Sequence, residues 1–173
     1  MRSRAPGAWR FSCALTLEPS PQFPHLHRHA HRLGALVQAR EIALQALYAW
    51  QLSGEDPLAQ ARTLEGFERT DARFVESLLS GVLGQAEALR ALIAPHLSRE
   101  FGRLSPIERA ILYIGAYELA SHPETPFKVV INEAVELGKS FGATDGYRFV
   151  NGVLEKIAAS VRPDEVGRSR TSV

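Results

Sequence analysis

The chain has 173 residues with 45% hydrophobic and 23% charged side chains and a net charge of +1, the make-up of one globular domain with some surplus. No apolar run approaches the ~18 residues needed to span a bilayer. The single cysteine, Cys13, excludes an internal disulfide framework and any multi-cysteine zinc or iron–sulfur site.

The charge is unevenly placed. Residues 1–39 carry five Arg against Glu18, whereas residues 40–160 carry nine Arg and three Lys against sixteen acids. Residues 161–173 carry three Arg against Asp164 and Glu165. An acidic body is a poor generic binder of phosphate. Recognition of nucleic acid would need a local basic patch, a basic tail or a cationic partner.

Residues 1–36 hold Pro6, Pro19, Pro21 and Pro24, few acids, and His25, His27, His29 and His31 at alternate positions. They sustain neither a helical nor a strand period, so disorder is expected. On an extended chain the alternate histidines would share one side and could hold a transition metal; the plainer reading is a biased tail without a function. A translation start near Leu36 or Val37 is a further possibility. The short apolar stretch around Ala14–Leu17 follows Arg10 and leads to no small-residue cleavage site, so export is not expected and the cytoplasm is.

From Gln38 the period is helical. Ile42, Ala43, Ala46, Leu47 and Trp50 form one stripe, and Ser53-Gly54 ends it. Pro57 opens a shorter helix. Thr70-Asp71 caps a third, with Phe74, Val75, Leu78, Leu79 and Val82 inward. Gly84 interrupts, and Leu89, Leu92 and Ile93 continue a fourth helix as far as Pro95. Ser105-Pro106-Ile107-Glu108 reads as a capping box with proline at the first helical position; its helix runs to His122-Pro123. Thr125-Pro126 is expected to cap the next helix in the same way, ahead of Val130, Ile131, Ala134, Leu137 and Phe141. After Gly142, Thr144 or Asp145 is expected to cap a last helix with Val150, Val153, Leu154 and Ile157 inward. No period-two stretch appears in the body. The fold class is all-α, with about seven helices.

The chain has no Gly-rich phosphate loop, His-Glu-x-x-His pair or Gly-x-Ser-x-Gly elbow. His96 and His122 fall at helix ends, where solvated groups favoured by the helix dipole are the ordinary case. Glu133 and Glu136 share a helix face without a matching Glu-x-x-His helix, and read as a solvated or partner-facing stripe. A binding protein is expected rather than an enzyme, with no cofactor or metal.

Three features exceed the needs of a minimal bundle. Arg40 and Tyr48 can project from the opening helix away from its apolar stripe, offering phosphate pairing and base stacking. Lys139, Asp145, Tyr147, Arg148 and Phe149 gather cations, aromatics and a carboxylate around the last loop. Gly152, after Asn151, sits inside a helix at a cost of about 1 kcal/mol relative to Ala, which suggests close approach by a neighbouring helix or a ligand.

The run Pro126-Phe127-Lys128-Val129-Val130-Ile131-Asn132-Glu133-Ala134-Val135-Glu136-Leu137, then Lys139-Ser140-Phe141-Gly142 and Phe149-Val150-Asn151-Gly152-Val153-Leu154, resembles the NusB family of transcription antitermination factors. So do Ala39-Arg40-Glu41 with Gln45-Ala46-Leu47-Tyr48-Ala49-Trp50, and Glu108-Arg109-Ala110-Ile111-Leu112 with Tyr117-Glu118-Leu119. The resemblance covers about residues 38–162. It implies two packed small helical subdomains within 37–162, leaving 1–36 as a disordered extension and 163–173 as a flexible tail. It also implies a function: with the ribosomal small-subunit protein that acts as NusE, such factors bind boxA RNA, notably on ribosomal RNA operons. With other Nus factors they help RNA polymerase resist termination. A basic ribosomal protein suits an acidic body.

Position by position, the resemblance implies RNA contacts at Arg40, Tyr48, Asp145 and Phe149; Lys139 and Arg148 are added for their charge. For the protein partner it points to the helix starting at Ser105, with Glu108 exposed to a cation and Arg109 and Tyr113 beside it, although capping competes for the Glu108 carboxylate. The family's Arg-rich run before the first helix is replaced by Leu36-Val37-Gln38, so weaker RNA binding by the isolated chain and greater reliance on the partner are expected. The other readings are an RNA-targeting module like that of some ribosomal RNA methyltransferases, a protein-only helical scaffold, and a homodimer that hides the RNA surface.

Overall fold

The computed structural model describes the backbone of residues 24–171 and the side chains of residues 34–169. Eight α-helices occur among the described residues: α1 (Pro24–Ser53), α2 (Pro57–Thr63), α3 (Ala72–Gly84), α4 (Ala86–Ile93), α5 (Pro106–Ser121), α6 (Phe127–Phe141), α7 (Gly146–Val161) and α8 (Pro163–Thr171). Short 3-10 turns at Phe67–Arg69, Ala94–His96 and Phe101–Arg103 join them. No strand is present among these residues.

Most boundaries follow local chemistry. Gly54 takes φ +74 after α1, a conformation glycine adopts without penalty. The Asp56 carboxylate accepts from the N–H groups of Leu58 and Ala59, and Asp71 accepts from Phe74. Ser105 and Glu108 form the expected capping box on α5. Two caps differ from expectation. Thr125 gives no side-chain cap to α6; the Phe127 N–H donates instead to Glu165 of α8, at 2.9 Å. Asp145 precedes α7 in a left-handed conformation, φ +67, without a side-chain cap.

The two ends also differ from the sequence reading. Helix α1 begins at Pro24, so residues 24–36 continue the opening helix backward. A helical backbone sets alternate positions on opposite sides, unlike the extended chain considered for His25, His27, His29 and His31, whose side chains lie outside the described residues. Residues 163–171 form α8, where a flexible tail was expected.

Helices α1, α2 and α3 pack together as one group, and α5, α6 and α7 as another. The groups meet along α1 and α5, which run antiparallel. Gln51 of α1 donates to the carbonyl of Pro106 at the start of α5 (2.9 Å), while Arg40 reaches Glu118 near its end. Leu44, Leu47, Leu78, Leu79, Ile111, Leu112, Ile114 and Leu154 are fully buried in the shared core. Gly81 admits the Tyr117 ring, because a Cβ there would lie 2.0 Å from it. Gly138 lets the Tyr147 backbone approach to 3.0 Å from where a Cβ would stand, which fixes the tight turn between α6 and α7. At Gly152 nothing lies within 4 Å, so no neighbouring helix explains that glycine.

Arg162 closes the C-terminal end. Its buried guanidinium donates to the carbonyls of Glu118 (2.8 Å), Leu119 (2.7 Å), His122 (2.8 Å) and Thr125 (2.6 Å), and pairs with Glu165 at 3.3 Å. The last carbonyls of a helix have no intrahelical donors, and one planar fork of five N–H groups serves several of them at once. Arg162→Ala should leave the Leu119 and Thr125 carbonyls without a donor and the Glu118 and His122 carbonyls with one each, and cost about 3 kcal/mol. Thermal unfolding followed by circular dichroism should then show a fall in Tm of roughly 6–12 °C, and Arg162→Lys, with a single ammonium, should recover only part of it.

Candidate RNA and partner interface

The sequence-derived site residues fall into three places. Arg40 lies within the α1–α5–α6 junction and is 4% exposed. Its Nε and Nη2 donate to the two carboxylate oxygens of Glu118 at 2.8 and 2.7 Å, and Glu118 is itself 1% exposed. Nη1 reaches the Leu36 carbonyl at 3.3 Å and lies 3.9 Å from Glu133, and the guanidinium covers the Phe74 ring. Arg40 therefore does not project toward solvent beside Tyr48 as expected, because its guanidinium is held inside by Glu118. The stripe carrying Ile42 and Ala43 turns far enough at Arg40 for a long side chain to enter the inter-helix seam.

Burial around this pair pushes the carboxyl groups of Glu41 and Glu133 above their ordinary range. For Glu41 the Glu133 charge adds to burial; for Glu133, Arg40 opposes it while Glu118 and Glu136 reinforce it. Glu133 is thus half-buried, and only Glu136 of that stripe stands in solvent, paired with Lys139 at 2.7 Å. His122 is not a solvated end group either. Its ring packs edge-on against Phe74 and Tyr117, and Nδ1 lies 2.7 Å from Glu124.

Tyr48 is 39% exposed on α1, one turn before the Gln51 that bonds to the start of α5. At that end of α5 sits Glu108. Its Oε2 accepts from the Ser105 N–H at 2.9 Å, and both oxygens accept from Arg99 Nη2 at 3.0 and 3.1 Å. The Glu108 side chain is 12% exposed, so it is already engaged by cap and cation rather than open to solvent as expected. Tyr113 is also an inward residue, 7% exposed and edge-on to Phe101, with burial raising its hydroxyl pKa. Arg109 is half-buried, and its Nε has no partner among the described residues.

The third group stands together as expected, at the α6–α7 turn. Lys139 and Arg148 flank the Tyr147 ring at 5.7 and 5.8 Å, and Arg148 Nε donates to the Tyr147 hydroxyl at 3.2 Å. Arg148, 72% exposed, pairs with Asp145 at 3.3 Å. The bond to Glu136 raises the pKa of Lys139. Phe149 is half-buried, with the Arg99 guanidinium 4.9 Å over its ring. Arg99 joins the two sets, and the sequence reading missed it. It lies nine residues before Glu108 and fifty before Phe149, with no periodicity connecting it to either.

Aromatics, cations and one capped carboxylate thus surround the α5 start and the α6–α7 turn. The NusB family model matches residues 37–159 of this chain. The chain belongs to the NusB family. It is 48% identical over 132 residues to the transcription antitermination protein NusB of Dechloromonas aromatica, covering 75% of this chain and 81% of that protein. It is 48% identical over 148 residues to its namesake from Bordetella pertussis, covering 82% and 96%. Among solved structures, T. maritima NusB superposes with a TM-score of 0.68 at 26% identity, covering 76% of this chain and 96% of that one. A chain from a crystal structure of antitermination factors NusB and NusE in complex with dsRNA gives 0.64 at 29% identity, covering 72% and 96%. The helical architecture read from the sequence is thus that of NusB. No helix among the described residues is long and apolar enough to cross a membrane.

Two outcomes check the Arg40 junction. Arg40→Ala should cost about 3–5 kcal/mol by stranding the buried Glu118 charge, whereas Arg40→Met with Glu118→Leu should restore most of the stability in chemical denaturation. Glu41 holds its proton to a higher pH in the folded chain than in the unfolded one. Its contribution to stability is therefore complete below the ordinary value of 4.5 and is lost as pH rises through the raised value. Glu41→Gln should leave Tm unchanged near pH 4 and raise it near pH 7, by the equivalent of under about 1 kcal/mol, since solvent screens a half-exposed carboxylate.

Proposed function

We propose that this NusB-family chain is a transcription antitermination protein that binds boxA-type RNA together with the ribosomal protein acting as NusE. The observation that carries this reading is 48% identity to transcription antitermination protein NusB over 82% of the chain. The similarity to the NusB of a NusB–NusE–dsRNA complex supports both partners. The chain works in the cytoplasm as a binding protein, with other Nus factors and RNA polymerase, and carries out no catalytic step.

The RNA face combines Tyr48, the α6–α7 turn and Phe149. Tyr48 and Tyr147 offer rings to unstacked bases. Arg148 and Lys139 pair with phosphates, and Asp145 accepts from exocyclic amino groups. In the free chain both of these cations are held by carboxylates, Arg148 by Asp145 and Lys139 by Glu136. Phosphate must compete with those carboxylates, so the turn alone is a weak anion binder. A cationic partner changes that balance. The net −4 of residues 40–160 attracts a basic protein, whose charges offset the carboxylates and add cations of their own. Glu108 and Arg109 lie where such a protein would dock, at the start of α5.

Fluorescence anisotropy with a boxA-type RNA and a scrambled control, with and without purified NusE, tests the reading. Sequence-selective binding strengthened by NusE is expected. Tyr48→Ala should weaken it by about 1–3 kcal/mol, the worth of one stacked base. Arg148→Ala should weaken selective and scrambled RNA alike and lower the salt dependence by roughly 0.7 for a single strand. Binding of NusE without any RNA binding would leave a protein-only scaffold.

A further inference from the structure

Arg99 touches both halves of the interface. One nitrogen of its guanidinium, Nη2, meets Glu108, the partner-side carboxylate, and the guanidinium carbon lies 4.9 Å from the centre of Phe149, the RNA-side ring. We propose that Arg99 couples the two binding events: a cation of the protein partner arriving at Glu108 displaces Arg99, which then serves the RNA. This rests on the proposed function and adds the residue through which one ligand strengthens the other.

The crowding at Glu108 sets up the exchange. The carboxylate already accepts from Ser105 and twice from Arg99, and its Oε1 faces Gly146 at the start of α7. A carboxylate has about four acceptor positions, and three are already filled, so an incoming cation crowds the donors held there. The Ser105 N–H is fixed by the first turn of α5 and cannot leave without unwinding the cap. The Arg99 side chain is 46% exposed, and solvent screens such pairs so that they hold weakly. Arg99 is therefore the donor that yields.

A displaced Arg99 does not become a free surface arginine. The Phe149 ring still attracts the guanidinium charge, which keeps the cation beside the ring. Its donors, relieved of Glu108, face the same end of the molecule as Arg148 and Tyr147. There they can take a phosphate or a base edge. Before exchange, Glu108 holds the Nη2 group of Arg99 and repels phosphate; after exchange it does neither. Because coupling between two binding equilibria is reciprocal, RNA that draws Arg99 away must also raise the affinity for the partner.

The test measures the affinity of a boxA-type RNA with and without saturating NusE, by anisotropy, for the full-length wild type and three variants. The wild type is expected to gain about fivefold or more from the partner. Arg99→Gln should bring that ratio toward one. Glu108→Gln keeps the capping box, because glutamine also serves at that position, but it frees Arg99. It should raise RNA affinity in the absence of partner, toward the partner-bound value of the wild type. The double variant should lose that rise, which assigns it to Arg99, and melting curves within a few degrees of wild type confirm that the variants are folded. Full partner enhancement in Arg99→Gln, or partner-free RNA affinity in Glu108→Gln no higher than wild type, overturns the coupling. Wild-type chain that binds no RNA with or without NusE overturns the proposed function itself, a result distinct from either.

Discussion

A fully buried glutamate in the middle of a helical bundle must be answered by a donor, and Glu118 is answered twice. Its carboxylate holds the Arg40 guanidinium through two short bonds, and its carbonyl holds that of Arg162. Arg40 brings α1, and with it the N-terminal helical group, onto α5. Arg162 draws the start of α8 over the end of α5, and its neighbour Glu165 caps α6. The relative placement of four helices thus passes through one residue of α5. Apolar burial drives the helices together, but it is tolerant of small slides along their axes. Charge-assisted bonds with fixed geometry are not, and here they set the register that also places Gln51 against Pro106.

That register places the site. With α1 and α5 aligned at Arg40–Glu118, Tyr48 falls beside the capped start of α5 rather than beside Arg40. The close approach at Gly138 then folds the α6–α7 turn against the same end. The surface that results is aromatic and nearly balanced in charge, with Arg99, Lys139 and Arg148 each paired to a carboxylate. Such a surface has little attraction for phosphate until something competes for its acids.

Local chemistry explains why much of the fold was legible. The capping box at Ser105, the aspartate cap at Asp71, and glycine after α1 act within a few residues, and each fell where the sequence placed it. The ends were misjudged for a related reason. Residues 163–171 show no apolar period because α8 is held by Arg162 and Glu165 rather than by an apolar stripe.

The site was legible only in part. Residue types at the α6–α7 turn are adjacent in sequence, so Lys139, Asp145, Tyr147, Arg148 and Phe149 could be grouped without a structure. Arg40 could not be assigned, because an arginine flanking an apolar stripe points to solvent or to a buried acid depending on a residue seventy-eight positions away. Tyr113 turned inward, Glu108 proved to be occupied, and Arg99 emerged as the link between Glu108 and Phe149 for the same reason. By itself the sequence determined an all-α chain, the starts of its inner helices and its family, because these depend on period, caps and ordered motifs within single segments. Which charges are buried, which carboxylates are engaged and which arginine joins Glu108 to Phe149 were decided only by tertiary structure, because an ion pair depends on the distance between segments that the local sequence does not encode.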